Sequence, residues 1–418
     1  MDRLSNLPDE IICHIGSFLS AKEAAFTTLL SKRWQNLITI KQTLHFDDSI
    51  ESFKDFADRL SSLQVTSRVR KLSLKWWSLE SDRVNHCLRD VLKCGVLDLN
   101  LWINGKQGYS LPFEVFTCKT VVKLSLGFRF SIDMIPENAL LPSLKTLSLN
   151  DLKFFEFGGN CAFQTLLAAC PVLEELFLSD VNWEQWKWSR TVSSLSLKRL
   201  TIIRTKWDDY DTSGFKSISF DTPGLVYLYY SDYVPKEYLN VNLNSLVEAK
   251  IILRPQENHI WNERHGDPFY PMNLLQGLKN VEILNLHSYQ TLMMFYVFRE
   301  ALPVFEKLSH LSVNLSRYCW FPIKFMGSLH FRKFNSLCHC LSEFSFLDSC
   351  PLEVLKITEY FGNQQELRQM EYILGKLSCL ELVQIHFPMA TGEKKAKLEY
   401  KLQKLPRASS KCKFNVVV

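Results

Sequence analysis

Leu144-Lys145-Thr146-Leu147-Ser148-Leu149 alternates apolar and polar side chains after its first leucine. Successive side chains of a strand point to opposite faces, so Leu147 and Leu149 are expected in a core while Thr146 and Ser148 face out. Val69-Arg70-Lys71-Leu72-Ser73-Leu74 reads the same way. From Val69 to the C-terminus this L-x-x-L-x-L spacing recurs, with branched aliphatic residues or Ala replacing some leucines. Its first positions are Val69, Val96, Val121, Leu144, Leu173, Leu197, Leu225, Leu246, Val281, Leu308, Leu352 and Leu380. The intervals fall in the twenties, apart from longer ones before Val281 and Leu352.

A period of about 20–29 residues is that of leucine-rich repeats. One repeat supplies one strand and cannot bury its apolar face alone, so neighbours must stack into a common core. The expected fold is an α/β solenoid, a curved leucine-rich-repeat array with a parallel concave sheet. A barrel would show hairpins every ~8–12 residues instead. Return segments such as Pro112 to Phe116 and Ala162 to Ala169 link the strands.

In this register the outward central positions include Ser73, Asn100, Ser125, Ser148, Phe177, Thr201, Tyr229 and Lys250. Most are small or polar. Phe177 and Tyr229 are large, Glu175 and Tyr227 point the same way beside them, and Trp102 flanks the second strand. Exposed aromatics beside charge are enriched at binding hot spots, which makes Trp102, Glu175, Phe177, Tyr227 and Tyr229 the candidate partner-binding residues. The other reading is that loops cover these rings, or that a one-residue slip buries them. Trp183, Trp186, Trp188 and Trp207 crowd one part of the array, as a local core or a pocket rim.

Residues 1–45 follow a different period. Apolar residues at Leu7, Ile11, Ile12, Ile15, Phe18 and Leu19 recur on one helical face. Pro8 suits a first helical turn, and Asp9 with Glu10 favour the positive end of the helix dipole. Ser20 with Glu23 has capping-box spacing, and Ser31 is placed to cap a third helix holding Trp34 and Leu37. Three short helices bury too little surface to be stable alone, so the leftover apolar face must meet a partner or cap the solenoid.

Composition narrows the function classes. A formal net charge of +5, from 49 basic and 44 acidic residues, is too mild for the concentrated basic face of a nucleic-acid binder. The N-terminus lacks the uninterrupted apolar stretch of a secretion signal, and the run Leu292 to Phe298 is far short of the ~20 residues that span a bilayer. The expectation is an intracellular protein, in the cytoplasm or nucleus, with its 12 cysteines reduced. Cys338, His339, Cys340 and Cys350 lack the paired motif of a zinc site, so no metal and no cofactor is expected. No P-loop, dinucleotide fingerprint, H-E-x-x-H or nucleophile elbow is present, which points away from an enzyme. Lys394, Lys395, Lys397, Lys401 and Lys404, with Leu398, Leu402 and Leu405 at helical spacing, read as an amphipathic cap.

Several of these stretches carry a family resemblance. Leu7-Pro8-Asp9-Glu10-Ile11-Ile12, then Ile15 and Phe18-Leu19, then Leu29-Leu30-Ser31-Lys32-Arg33-Trp34 resemble an F-box, though Ser20-Ala21 stands where plant relatives often carry Pro-Thr. Leu44 to Ser49, the Cys170-Pro171-Val172-Leu173 and Cys350-Pro351-Leu352 corners, and Leu405-Pro406-Arg407-Ala408-Ser409-Ser410 are similar to plant F-box/FBD/LRR-repeat proteins. That resemblance implies an F-box over 1–45, an opening strand and helix over 46–68, repeats over 69–344 and an FBD domain over 345–418 that continues and caps the array. It implies that Leu7, Pro8, Ile11, Ile12, Ile15, Leu19, Leu29, Leu30, Lys32, Arg33 and Trp34 dock, or shape the surface that docks, a Skp-type adaptor and through it a cullin. The chain would then be a non-catalytic substrate receptor of an SCF-type ubiquitin ligase, binding a protein substrate and neither nucleic acid nor membrane. The alternative is a leucine-rich scaffold outside any ligase, whose F-box is degenerate or differently used.

Overall fold

In the computed structural model the residues described are 7–8, 11–12, 15, 26–27, 31–34, 42–47, 49–50, 52, 54–56, 69–77, 81–93, 95–104, 110–128, 131–132, 134–154, 156–157, 160–181, 190–205, 217–254, 271–298, 302–314, 350–388 and 392–417. The chain divides into two compact units, Met1–Gln185 and Trp186–Val418.

The first unit is built on β1 (Gln42–Asp47), β2 (Val69–Trp76), β3 (Asp98–Ile103), β4 (Lys123–Gly127), β5 (Thr146–Asn150) and β6 (Glu175–Ser179), each parallel to the next. The second is built on β7 (Arg199–Ile203), β8 (Tyr227–Tyr233), β9 (Glu248–Arg254), β10 (Ile283–Leu286), β11 (His310–Asn314), β12 (Val354–Thr358), β13 (Leu382–His386) and β14 (Lys413–Val417), again parallel throughout. This is leucine-rich-repeat solenoid architecture, as the period required.

All twelve first positions of the repeat pattern are buried, from Val69 and Val96 through Leu352 and Leu380. From Val96 onward each strand begins two residues later, as in Val96 before Asp98 and Leu380 before Leu382. The intervening carbonyl ties one repeat to the next: Val122 accepts from the N–H groups of Lys145 and Thr146 at 2.8 and 3.1 Å, and Glu353 from Glu381 and Leu382 at 2.8 and 3.0 Å. The leucine stays inward while the chain bends into the strand.

Strand ends repeat a second device. Phe128, Asp151, Asp180 and Glu359, each directly after a strand, have φ of 83°, 50°, 47° and 59°. Left-handed backbone turns the chain away from the sheet, and the short side chains of Asp151 and Asp180 tolerate it better than Phe128 or Glu359 do.

Return segments supply the opposite wall of the core. Helix α1 (Ser81–Lys93) buries Val84, Cys87, Leu88, Val91 and Leu92 at helical spacing. A 3-10 turn spans Phe113–Phe116, and α2 (Ala162–Ala168) buries Phe163, Leu166 and Leu167. In the second unit, α3 (Met272–Gly277), α4 (Tyr289–Val297), α5 (Gln364–Lys376) and α6 (Gly392–Gln403) play this part. A second parallel sheet there joins 190–193, 217–221 and 237–242. Phe220 and Tyr238 from that sheet meet Tyr230 of β8 at ring-centroid distances of 5.5 and 6.3 Å, both edge-on, the favoured geometry for rings.

Strand β1 begins at Gln42, so the boundary expected between 45 and 46 falls inside it. Within 345–418, β12 pairs with β11 and β14 ends the ladder, so this segment extends the sheet of the second unit. Leu398 and Leu402 of α6 are buried as their spacing required. The Leu398 side chain occupies the space over Gly362, whose φ of 67° and lack of a Cβ admit it. Trp183, Trp186, Trp188, Trp207, Cys338, His339 and Cys340 lie outside the described residues.

Candidate functional site

Two sets of residues emerge from this scaffold: the N-terminal helical segment and the outward rows of the ladders. In the segment, the Pro8 carbonyl accepts hydrogen bonds from the Ile11 and Ile12 N–H groups at 3.0 and 3.1 Å, which opens the first helical turn. Ile12 is fully buried, whereas Pro8 and Ile11 are exposed and Leu7 and Ile15 are half-buried. Ser31 Oγ accepts the Trp34 N–H at 3.3 Å, the cap expected there, and holds Trp34 in the core with Lys32 and Arg33 exposed. Ile12 and Trp34 therefore shape the surface from beneath; they do not form it. Phe26, on a helical turn, is 63% exposed and was not among the sequence-derived docking residues. Leu19, Leu29 and Leu30 lie outside the described residues.

The outward central row of the first unit runs His45, Ser73, Asn100, Ser125, Ser148, Phe177 in direct register. That of the second runs Thr201, Tyr229, Lys250, Asn285, Ser312, Lys356, Gln384, Asn415. Within each unit the positions expected in this row stand in direct register. Glu175 is exposed, and Trp102, Phe177, Tyr227 and Tyr229 are half-buried. Trp102 and Phe177 belong to the first unit, Tyr227 and Tyr229 to the second.

Local packing explains the half-burial. The Trp102 indole lies against the next strand, where a Cβ at Gly127 would be 3.4 Å from it, in ordinary contact. The Arg199 guanidinium lies 4.0 Å from the Tyr227 ring centroid, and the Lys250 ammonium 4.2 Å from that of Tyr229. Cations over ring faces are attracted by the ring quadrupole. Burial, then nearby Glu248, pushes the Tyr227 phenol up, so it stays a neutral hydroxyl. His287, just past β10, is held below its ordinary value by burial first and then by Lys250 and Lys356, which places both ammonium groups in its electrostatic neighbourhood. At the end of β8, Arg204 Nε donates to Asp232 Oδ1 at 2.6 Å; the aspartate is nearly inaccessible and Tyr233 N–H also donates to it.

Nothing among the described residues groups three or more metal-ligating side chains. Burial pushes the Cys87 and Cys170 thiols up to about 12 and that of Cys350 to about 11. They stay protonated at neutral pH, and thiols in that state are poor nucleophiles. Cys170 and Cys350 sit buried at repeat corners, and the Cys170 thiol donates to the Leu166 carbonyl. No helix among the described residues is long and apolar enough to cross a membrane. What the surfaces offer is recognition: apolar side chains on a helical segment, and ordered rows of polar, cationic and aromatic groups on rigid strands.

Comparison with known proteins bears on both. The F-box domain family matches residues 4–45, and the family described as FBD-associated F-box protein At5g56370, LRR repeats, matches residues 84–235. The chain is 61% identical to F-box/LRR-repeat protein At3g62440 of Arabidopsis thaliana, with 100% of both chains covered. It is 49% identical to Putative F-box/LRR-repeat protein At5g15620 of the same plant, over 100% of this chain and 99% of that one. It is also 48% identical to F-box protein At3g62430 of that plant, with the same coverage. With a matched F-box, matched repeats and full-length likeness to these proteins, the chain belongs to the plant family of FBD-associated F-box/leucine-rich-repeat proteins.

Proposed function

We propose that this F-box protein is the substrate-recognition subunit of an SCF-type cullin ubiquitin ligase, docking a Skp-type adaptor through its N-terminal segment and a protein substrate through its solenoid. The observation that carries the adaptor half is the division of the segment, with Ile12 and Trp34 buried beneath while Pro8, Ile11 and Phe26 stand exposed. Ile11 is 45% and Phe26 63% exposed, a cost in water that an adaptor surface would remove. Covering each would contribute up to ~1.5–3 kcal/mol. The substrate half rests on the outward rows, most of whose side chains are exposed or half-buried. In this role the chain contributes position, not bond chemistry: it holds the substrate near the loaded conjugating enzyme and raises its effective concentration. Such a role would place it in the cytoplasm or nucleus.

The test is direct binding of the full chain to purified Skp-type adaptor. Ile11→Ser with Phe26→Ser should weaken binding at least tenfold while leaving the circular dichroism spectrum unchanged. Equal binding by wild type and variant would assign the F-box another use and favour the scaffold alternative.

A further inference from the structure

The two ladders differ in charge. In the first unit, the outward residues of the central row and of the rows two residues to either side include Lys71, Lys75 and Lys123 against Asp47, Asp98 and Glu175. Two of these lysines are already paired, Lys71 to Asp98 at 3.2 Å and Lys75 to Asp47 at 3.5 Å. The face is balanced and largely self-satisfied.

In the second unit the same three rows carry Arg199, Lys250, Lys356 and Lys413 against Glu248 alone. Arg199 and Lys250 rest on the rings of Tyr227 and Tyr229, contacts that hold a cation without cancelling its charge. Lys356 is exposed. Of the two sets of rows, only that of the second unit carries a net positive charge.

The register sets a length. From Lys250 the central row passes Asn285 and Ser312 before reaching Lys356. Three strand spacings of ~4.8 Å separate the two lysines by ~14 Å. An extended chain covers that span in about four residues at ~3.3–3.6 Å each. Lysine is a point charge without the bidentate fork that favours a single phosphate, and two separated lysines match separated carboxylates.

We propose that the outward face of the second unit, centred on Tyr229, Lys250 and Lys356, docks an extended acidic peptide segment of the partner protein, running across the strands with carboxylates about four residues apart. Asn285 between the lysines, half-buried, offers hydrogen bonds to its backbone, and Tyr229 offers a ring to an apolar side chain at one end. The inference rests on the solenoid being the receptor half of the protein, but not on adaptor docking.

The test is fluorescence anisotropy with the full chain, free of adaptor, and a labelled peptide carrying two glutamates four residues apart. Adaptor binding of each variant is measured alongside, so that loss of the ligase reading leaves this result standing. The glutamate peptide should bind, weaken with salt, and bind at least tenfold more weakly to Lys250→Gln with Lys356→Gln. Lys71→Gln with Lys123→Gln, on the balanced face, should change it less than twofold. Equal binding of the matching glutamine peptide, equal weakening by the control pair, or no binding to wild type would overturn the proposal. So would tighter capture of a singly phosphorylated peptide or of a single-stranded oligonucleotide.

Discussion

Replacing Tyr229 with alanine should cost little stability, while the same change at its neighbour Tyr230 should destabilise the second unit several times more. The two lie side by side in β8 on opposite faces of the sheet. Tyr229 is half-buried, and it would lose its contact with the Lys250 ammonium at 4.2 Å. An exposed cation–π contact is worth ~0.5–1 kcal/mol, so the expected loss is about 1 kcal/mol. Tyr230 is 0% exposed and meets the rings of Phe220 and Tyr238. Emptying a buried aromatic site costs ~3–5 kcal/mol, before the ring-pair geometry is counted. For a unit of this size ~1 kcal/mol moves the unfolding midpoint by about 2–4 °C. Thermal unfolding by circular dichroism should then show a drop of a few degrees for Tyr229→Ala and of 10 °C or so for Tyr230→Ala. A reversed order would mean that the ladder is slipped by one residue and would remove Tyr229 from the outward face.

Further outcomes test the scaffold around that face. Thr291, fully buried, accepts the Leu253 N–H at 2.7 Å, so Thr291→Val should cost ~1–3 kcal/mol and speed hydrogen exchange at Leu253, while Thr291→Ser should not. At the start of α5, Glu366 accepts the Asn363 and Phe361 N–H groups while Asn363 Oδ1 accepts the Glu366 N–H, a reciprocal capping box. Burial outweighs those bonds and raises the Glu366 carboxyl above 4.5, so its stabilising contribution is complete below that value and lost as pH rises through the shifted one. The stability of Glu366→Gln relative to wild type should accordingly improve between pH 4 and pH 7 in chemical denaturation; a difference flat with pH would refute the assignment. Alkylation of the native protein at pH 8 should label exposed Cys379 before Cys170 and Cys350, read by mass spectrometry.

The repeat was legible because each inward leucine is fixed twice, by the alternation of its strand and by the period of the array. The side chains at 144, 147 and 149 are all buried, and Ser148 faces outward between its neighbours Ser125 and Phe177. The corner cysteines were legible for the same reason. Other features lacked such double constraint. In the second sheet of the second unit, Ser217-Ile218-Ser219-Phe220 alternates polar and apolar residues but lies off the repeat period, and all four are buried, so alternation alone would have placed its serines outside. In the N-terminal segment the helical period placed Ile11 and Ile12 on one apolar stripe, but a stripe of that width touches both core and surroundings. Burial of Ile12 beside exposed Ile11 depends on tertiary packing that one helix cannot report. Phe26 shares this limit, since its isolated position carries no periodic signal.

The difference between the ladders has a thermodynamic reason to persist. On the first face the lysine–aspartate pairs are partly exposed, and such pairs contribute only ~0–1 kcal/mol each, so stability does not hold them in place. Their effect is to leave that face with little net field. On the second face Lys250 gains up to ~1 kcal/mol from the Tyr229 ring, and stability asks little of Lys356, because both project away from the leucine core that the inward positions build. Four cations against one acid repel one another, a small but steady cost that neutral side chains would avoid. Arg199 and Lys250 offset part of that cost on the rings beneath them, whereas exposed Lys356 is left to what meets the row from outside. Charge reversal at Lys356, exposed, should therefore leave unfolding within ~0.5 kcal/mol of wild type while changing which peptides the chain captures.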